Sequence, residues 1–246
     1  MLDTLGAPRR RLLGGRRARD APAEPSPAAV TTTRATLVAA QPFSSPEAAE
    51  AWLAGADGEA EAQAAFAMLN DVLHAHRLAS ADPYVREVSR EQALVVRVGI
   101  GGGEQVAHGR WSRAVELPPP RHGRPRTAAL RPQERLAALL GGRDVALACE
   151  ELALRARADL DAGRPREAAF QLRVALEAAL AELEPWAARG DLRQRLDELR
   201  GERGAVGAAA NAALEGGLDE PTVADVERVL GRVEAALRAR TALGFE

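Results

Sequence analysis

The sequence predicts an α+β chain: a small α+β unit of three short strands and two helices, followed by a C-terminal antiparallel α-helical bundle. Three observations carry that expectation. After Pro132 the apolar residues recur at helical spacing, with capping residues and glycines between the runs. Before Pro118 there are short, partly β-branched apolar runs bounded by Gly and Pro. The composition is 46% hydrophobic but only 3% aromatic, so Ala, Leu and Val must fill the core, and Ala and Leu are strong helix formers.

Residues 1–33 differ from the rest. Arg9, Arg10, Arg11, Arg16, Arg17 and Arg19 cluster ahead of a Pro/Ala/Ser stretch, and nothing there has a burial period. The expectation is a disordered Arg/Pro/Ala-rich tail. Val30-Thr31-Thr32-Thr33 also resembles an ordinary protein start, which makes a misassigned start an alternative to a translated basic arm.

The α+β unit is expected over residues 34–117. Arg34 to Ala40 reads as a buried strand closed by Gln41-Pro42-Phe43. Ser44, Pro46 and Glu47 form a helix start in which Ser and Glu satisfy free N–H groups reciprocally, opening a short helix through Trp52 and Leu53 to Gly55. A longer helix runs from Gly58 to Ser80, with Phe66, Leu69, Leu73 and His76 on one face, until Asp82-Pro83 ends it. Ala93 to Val98 and Glu104 to Leu117 are strand-like around the glycines 99–103 and read as a hairpin. A lone hairpin is marginal in water, so it must pair with the first strand or pack on the helices.

Residues 118–131 read as a Pro/Arg-rich linker, with Arg121, Arg124, Arg126 and Arg131 among the prolines. The bundle is expected over 132–246. Asp144 reads as a cap for a helix presenting Val145, Cys149, Leu152 and Ala156, and Gly163-Arg164-Pro165 breaks the chain before Ala169, Leu172, Leu176, Leu180 and Leu183 line up. Asp191 and Gln194 read as a second capping box ahead of Leu192, Leu196 and Leu199, with Gly201 and Gly204 as an interruption before Val206 to Leu214. The last helix is capped by Asp219 and opened by Pro221. Val223, Val226, Leu230, Val233 and Leu237 form its apolar stripe, opposite Glu227, Arg228, Arg232, Glu234 and Arg238.

Leu160-Asp161-Ala162-Gly163, followed by Ala168, Leu172, Ala175 and Leu176, is similar to the second half of a tetratricopeptide unit, where small and large residues alternate so that two helices pack closely. The likeness covers about one helical hairpin (residues 153–176). Pro165 stands where that unit has an aromatic, and no second copy follows at a 34-residue step. The same hairpin resembles the opening of the HEPN helical domain, which includes ribonucleases. The Arg-x4-His motif of that family is absent because no His lies beyond His122, which puts the nuclease activity that the resemblance would imply in doubt.

Composition excludes several chemistries. The net charge of −2, from 33 basic and 35 acidic residues, gives no overall basic excess for nucleic acid. Every basic residue is Arg, which removes lysine Schiff bases and phosphate-loop lysines. Cys149 is the only cysteine, so intrachain disulfides and multi-cysteine metal sites are out. No apolar run approaches the roughly 20 residues of a membrane helix, and the expected location is the cytoplasm.

No catalytic, cofactor-binding or metal-binding set is identified, and no cofactor is expected. His74 and His76 lie about 200° apart on their helix and cannot share a metal. Gly99 to Gly103 lacks the helix start that a phosphate cradle needs. Three functions are weighed. The first is a non-enzymatic interaction or scaffold module acting through the bundle, with a protein partner or itself, and with His76, Glu104, Arg110 and Trp111 as partner or polar-site residues. The second is nucleic-acid binding through Arg9, Arg10, Arg11, Arg16, Arg17 and the linker. The third is an enzyme assembled around His76, Glu104 and Arg110.

Overall fold

The computed structural model describes residues 2–5, 32–39, 41–120 and 126–244. The chain is mostly helical and divides into two units, Met1–Arg121 and His122–Glu246.

In the first unit, β1 (Leu2–Leu5) pairs antiparallel with β2 (Thr32–Ala35), so one strand and the first half of another lie within the stretch expected to be a disordered tail. The strand expected at Arg34 to Ala40 is therefore displaced. The register sets Leu2 opposite Ala35, the ladder stops there, and Val38 is exposed. Helix α1 (Pro46–Gly55) is capped one residue later than the spacing implies: Ser45, not Ser44, accepts from Ala48 N at 3.2 Å. Helix α2 (Gly58–Ser80) has the expected bounds. Asp57 caps it, accepting from the amides of Glu59 and Ala60 at 3.0 and 3.2 Å, and Ala81 ends it in the left-handed region at φ 50°.

β3 (Arg97–Ile100) and β4 (Arg113–Glu116) form a separate two-stranded antiparallel ladder, with Val98 opposite Val115. Glu104 to Leu117 is not extended throughout, because Glu104–His108 closes into a 3-10 turn that buries Val106. The ladder does not join β2. It packs on α1 and α2 through β3, where Ile100 is buried. Asn70 on α2 ties down the chain beyond the helix, donating to Val88 O at 3.0 Å and accepting from Val88 N at 2.9 Å.

In the second unit, α3 (Arg126–Leu140) begins within the stretch expected to be a linker and carries Pro132 inside it. Five helices then share one core: α4 (Ala148–Asp161), α5 (Pro165–Glu182), α6 (Leu192–Gly201), α7 (Arg203–Glu215) and α8 (Glu220–Ala242). α5 packs against α4, α7 and α8. That central position explains why it buries Ala168, Ala175 and Ala179 beside the expected Ala169, Leu172, Leu176 and Leu180. Leu192, Leu196 and Leu199 are buried on α6, and Val226, Leu230 and Val233 on α8. The break between α6 and α7 falls at Glu202, next to Gly201.

Two caps differ from the sequence reading. Asp144 does not cap α4, which starts at Ala148, and Val145 is exposed. Asp191 is not a side-chain cap either; its carboxylate accepts from Arg195 Nε at 2.9 Å. Asp219 caps α8 as expected, accepting from Thr222 N at 3.0 Å. The charged face of α8 also ties it to its neighbours: Arg228 and Arg232 donate to Glu202, and Glu234 accepts from Arg157 Nε at 2.9 Å and Nη2 at 3.2 Å.

Candidate functional site

Helix α2 carries apolar residues on two faces. Its inner face is built from Ala62, Ala65, Phe66, Leu69 and Leu73, all buried or half-buried. Ala60, Ala64, Ala67, Met68, Val72, Ala75, Leu78 and Ala79 are all exposed on the other side. Met68 is 60% exposed, Val72 58% and Leu78 66%, so these side chains stand in solvent. Glu61 and Asp71 are the carboxylates within this outward stripe. A helix that is apolar all round is normally buried, whereas a surface helix carries charge outward. α8 obeys that rule and α2 does not.

His76 takes a different place from the one its spacing implied. Beyond Leu73 the inner face continues through His74 and Arg77, both half-buried, and His76 is exposed. Arg77 Nη2 donates to His74 Nδ1 at 3.1 Å, and Glu87 Oε1 lies 3.9 Å from the same nitrogen. The contact with the segment after the helix, centred on Asn70, rotates the buried face toward Asn70 and His74.

Glu104 opens the 3-10 turn and is exposed, Arg110 follows it and is exposed, and Trp111 is half-buried. No hydrogen bond or ion pair among the described residues joins His76, Glu104, Arg110 and Trp111. Arg9, Arg10, Arg11, Arg16 and Arg17 lie outside the described residues.

A cleft of about 450 Å³ lies between α1 and β4, lined by Glu47, Glu50, Ala51, Leu53, Ala54, Arg113, Ala114 and Val115. Arg113 and Glu50 pair in it at 3.5 Å. The Ser45 hydroxyl, with help from the local backbone amide, holds Glu47 below the usual carboxylate range. Its titratable lining residues are Glu47, Glu50 and Arg113, and no histidine or cysteine lines it.

The densest polar cluster is in the second unit. Asp144, in the loop before α4, accepts from Arg240 through both guanidinium nitrogens, Nη1 at 3.1 Å, and from Arg135 Nε at 3.2 Å and Val145 N at 2.8 Å. Burial alone would raise Asp144, but the hydrogen bonds from Arg240, Val145 and Arg135 outweigh it and leave the carboxyl below its ordinary range. Arg240 also lies over the Trp186 ring, 4.8 Å from its centre. Arg135 Nη2 donates to Glu150 Oε1 at 2.5 Å, and Glu150 reaches back to Leu147 N at 3.0 Å.

Glu182, at the end of α5, accepts from the amides of Ala148 and Cys149 at 3.2 and 2.9 Å and so caps α4 from another helix. The N-terminal amides favour a negative charge there. Burial pushes the Cys149 thiol up to about 12, with the Glu182 carboxylate adding to the effect. A thiol held protonated is not a nucleophile. These contacts tie α3, α4, α5 and α8 together.

One signal of this cluster is present in the sequence. Arg240 continues the α8 stripe after Val233 and Ala236, which puts a charge at a core position of the last turn.

No group of three or more His, Cys, Asp or Glu among the described residues could hold a metal ion. No helix among them is long and apolar enough to cross a membrane. Searches against family models, curated proteins and solved structures each found no match for this chain.

Proposed function

We propose that this protein is a non-enzymatic interaction or scaffold module of the cytoplasm, whose contact surface is the outward face of α2. One observation carries the reading: α2 is apolar on both sides, and Met68, Val72 and Leu78 on its outer side are exposed. Apolar area left in water is a standing cost that a partner removes, at roughly 25 cal/mol per Å² covered. The C-terminal helices, read as an antiparallel bundle, supply a body with a continuous apolar core. The single cysteine is free and buried, which suits a reducing compartment. α8, by contrast, buries its apolar stripe against α4–α7.

The test is affinity capture with tagged full-length chain, comparing wild type with Met68→Glu. The expected result is a set of proteins, which can include an untagged second copy, retained by wild type and lost by the variant at unchanged helical content. Equal retention by both would refute the reading.

A further inference from the structure

We infer that the free edge of β4 binds a short extended peptide as a third strand of the β3–β4 ladder, with a basic side chain of that peptide lying against Glu47. The site is separate from the α2 surface and does not depend on it. Leu117 N donates to Val96 O at 2.9 Å, and the ladder runs on from there with Val98 opposite Val115. In an antiparallel pair, residues that bond across alternate with residues that do not. The peptide groups of Arg113 and Val115 therefore turn to β3, and those of Ala114 and Glu116 turn away from it. The ladder has two strands, and no hydrogen bond among the described residues reaches the outward amides of Ala114 and Glu116. A row of unpaired N–H and C=O groups is a template for another strand.

The surroundings of the edge say what fits it. β4 is exposed along its whole length, whereas β3 carries the contacts with α1 and α2. β4 has four residues, and prolines 118–120 follow closely, so the template takes a short segment and not an open-ended stack. Arg113 and Val115, on one face of the ladder, line the cleft of about 450 Å³ against α1. Side chains of an added strand alternate between the two faces, so every second one enters the cleft beside Ala51, Ala54 and Val115, which are small or apolar. The cleft also has a sign. Arg113 pairs with Glu50 at 3.5 Å, and no ion pair among the described residues reaches Glu47. The Ser45 hydroxyl holds the Glu47 carboxyl below its ordinary range, so it is ionised at neutral pH. A cationic side chain at a cleft-facing position is the complement of that surplus carboxylate.

The experiment is a fluorescence-anisotropy titration of the full chain into a labelled, end-capped heptapeptide, Thr-Val-Thr-Arg-Thr-Val-Thr, whose Val, Arg and Val fall on one face when extended. Saturable binding is expected. N-methylation of alternate residues should abolish it in one set of positions, odd or even, and spare it in the other, because only one set turns its N–H groups to β4. Glu47→Gln should weaken binding by about twofold to fivefold, the range of an exposed ion pair. Ala114→Pro deletes an outward N–H without touching a ladder bond, and should lower affinity at least about fivefold at unchanged helical content. No saturable binding at millimolar peptide, equal loss with both N-methyl sets, or binding indifferent to Ala114→Pro would each overturn the inference. A dimer in light scattering that Ala114→Pro dissociates would give the edge to a second copy and overturn it as well. The capture test on Met68 does not involve this edge, so either reading can fail alone.

Discussion

Asp144→Ala should be the most destabilising single change in the second unit that leaves its apolar core intact. The substitution removes the acceptor of hydrogen bonds from Arg240, Arg135 and Val145. It strands the Arg240 guanidinium, whose side chain is 5% exposed, without its carboxylate. Removing one partner of a buried ion pair costs about 3–5 kcal/mol. Arg135 keeps Glu150, and Arg240 keeps the face of Trp186. The expected loss is therefore near the lower end, about 3 kcal/mol, or roughly 10 °C in Tm for a unit of this size. The assay is urea unfolding of the full chain followed by Trp186 fluorescence in a background carrying Trp52→Phe and Trp111→Phe. Asp144→Leu combined with Arg240→Met should recover most of the loss, because replacing both partners by apolar groups removes the uncompensated charge. A loss below about 1 kcal/mol for Asp144→Ala, the range of exposed pairs, would refute the placement of this pair in a dry interior.

Three further outcomes are expected. The Cys149 thiol is raised from its ordinary value of 9.0 to about 12, so the folded unit holds that proton more tightly than the unfolded chain. Its contribution is complete below the ordinary value and fades by about 1.4 kcal/mol per pH unit as pH rises above it; Cys149→Ala should flatten that alkaline slope, and in native protein the thiol should not react with a disulfide reagent. Asp144, Glu182 and Glu202 are all held below their ordinary values. Their stabilisation is present above the unfolded carboxyl range and disappears as pH falls through it, below about pH 4, which acid titration of the Trp186 signal would show as a falling urea midpoint. Asp219→Ala removes the acceptor for Thr222 N and should cost about 1 kcal/mol, read by the same unfolding assay.

The helices of the second unit were legible in the sequence because their information is local and periodic. Leu192, Leu196 and Leu199 recur at helical spacing, Asp219 and Pro221 start a helix, and Gly201 stops one. Each works through its own turn of backbone, so no distant contact is needed to read it. The limits of α2, with Gly58 first and Ser80 last, were legible for the same reason. The strands were less so. β2 stops at Ala35 because Leu2 is its last partner, and the stretch Glu104–His108 turns into a 3-10 helix to bury Val106. A strand ends where its neighbour ends, and the neighbour is remote in sequence.

The candidate site divides the same way. The sequence by itself shows that α2 is rich in Ala, Met and Leu, and that one spacing on it runs Phe66, Leu69, Leu73, His76. Only the tertiary structure decides which of its two apolar faces is inward, because Asn70 and His74 engage the Val88–Glu87 segment and turn the helix toward it. That rotation sends His76 outward and leaves Met68 and Val72 in solvent. In the second unit, the spacing makes Asp144 a cap for the helix that carries Cys149, and nothing around Glu182 marks it as one. The fold instead brings Asp144 to Arg240 across 96 positions and Glu182 to the start of α4 across 33. Periodicity reports which residues share a face of one helix. Which faces meet, and which charge finds which partner, is decided by packing between helices that are distant in the chain.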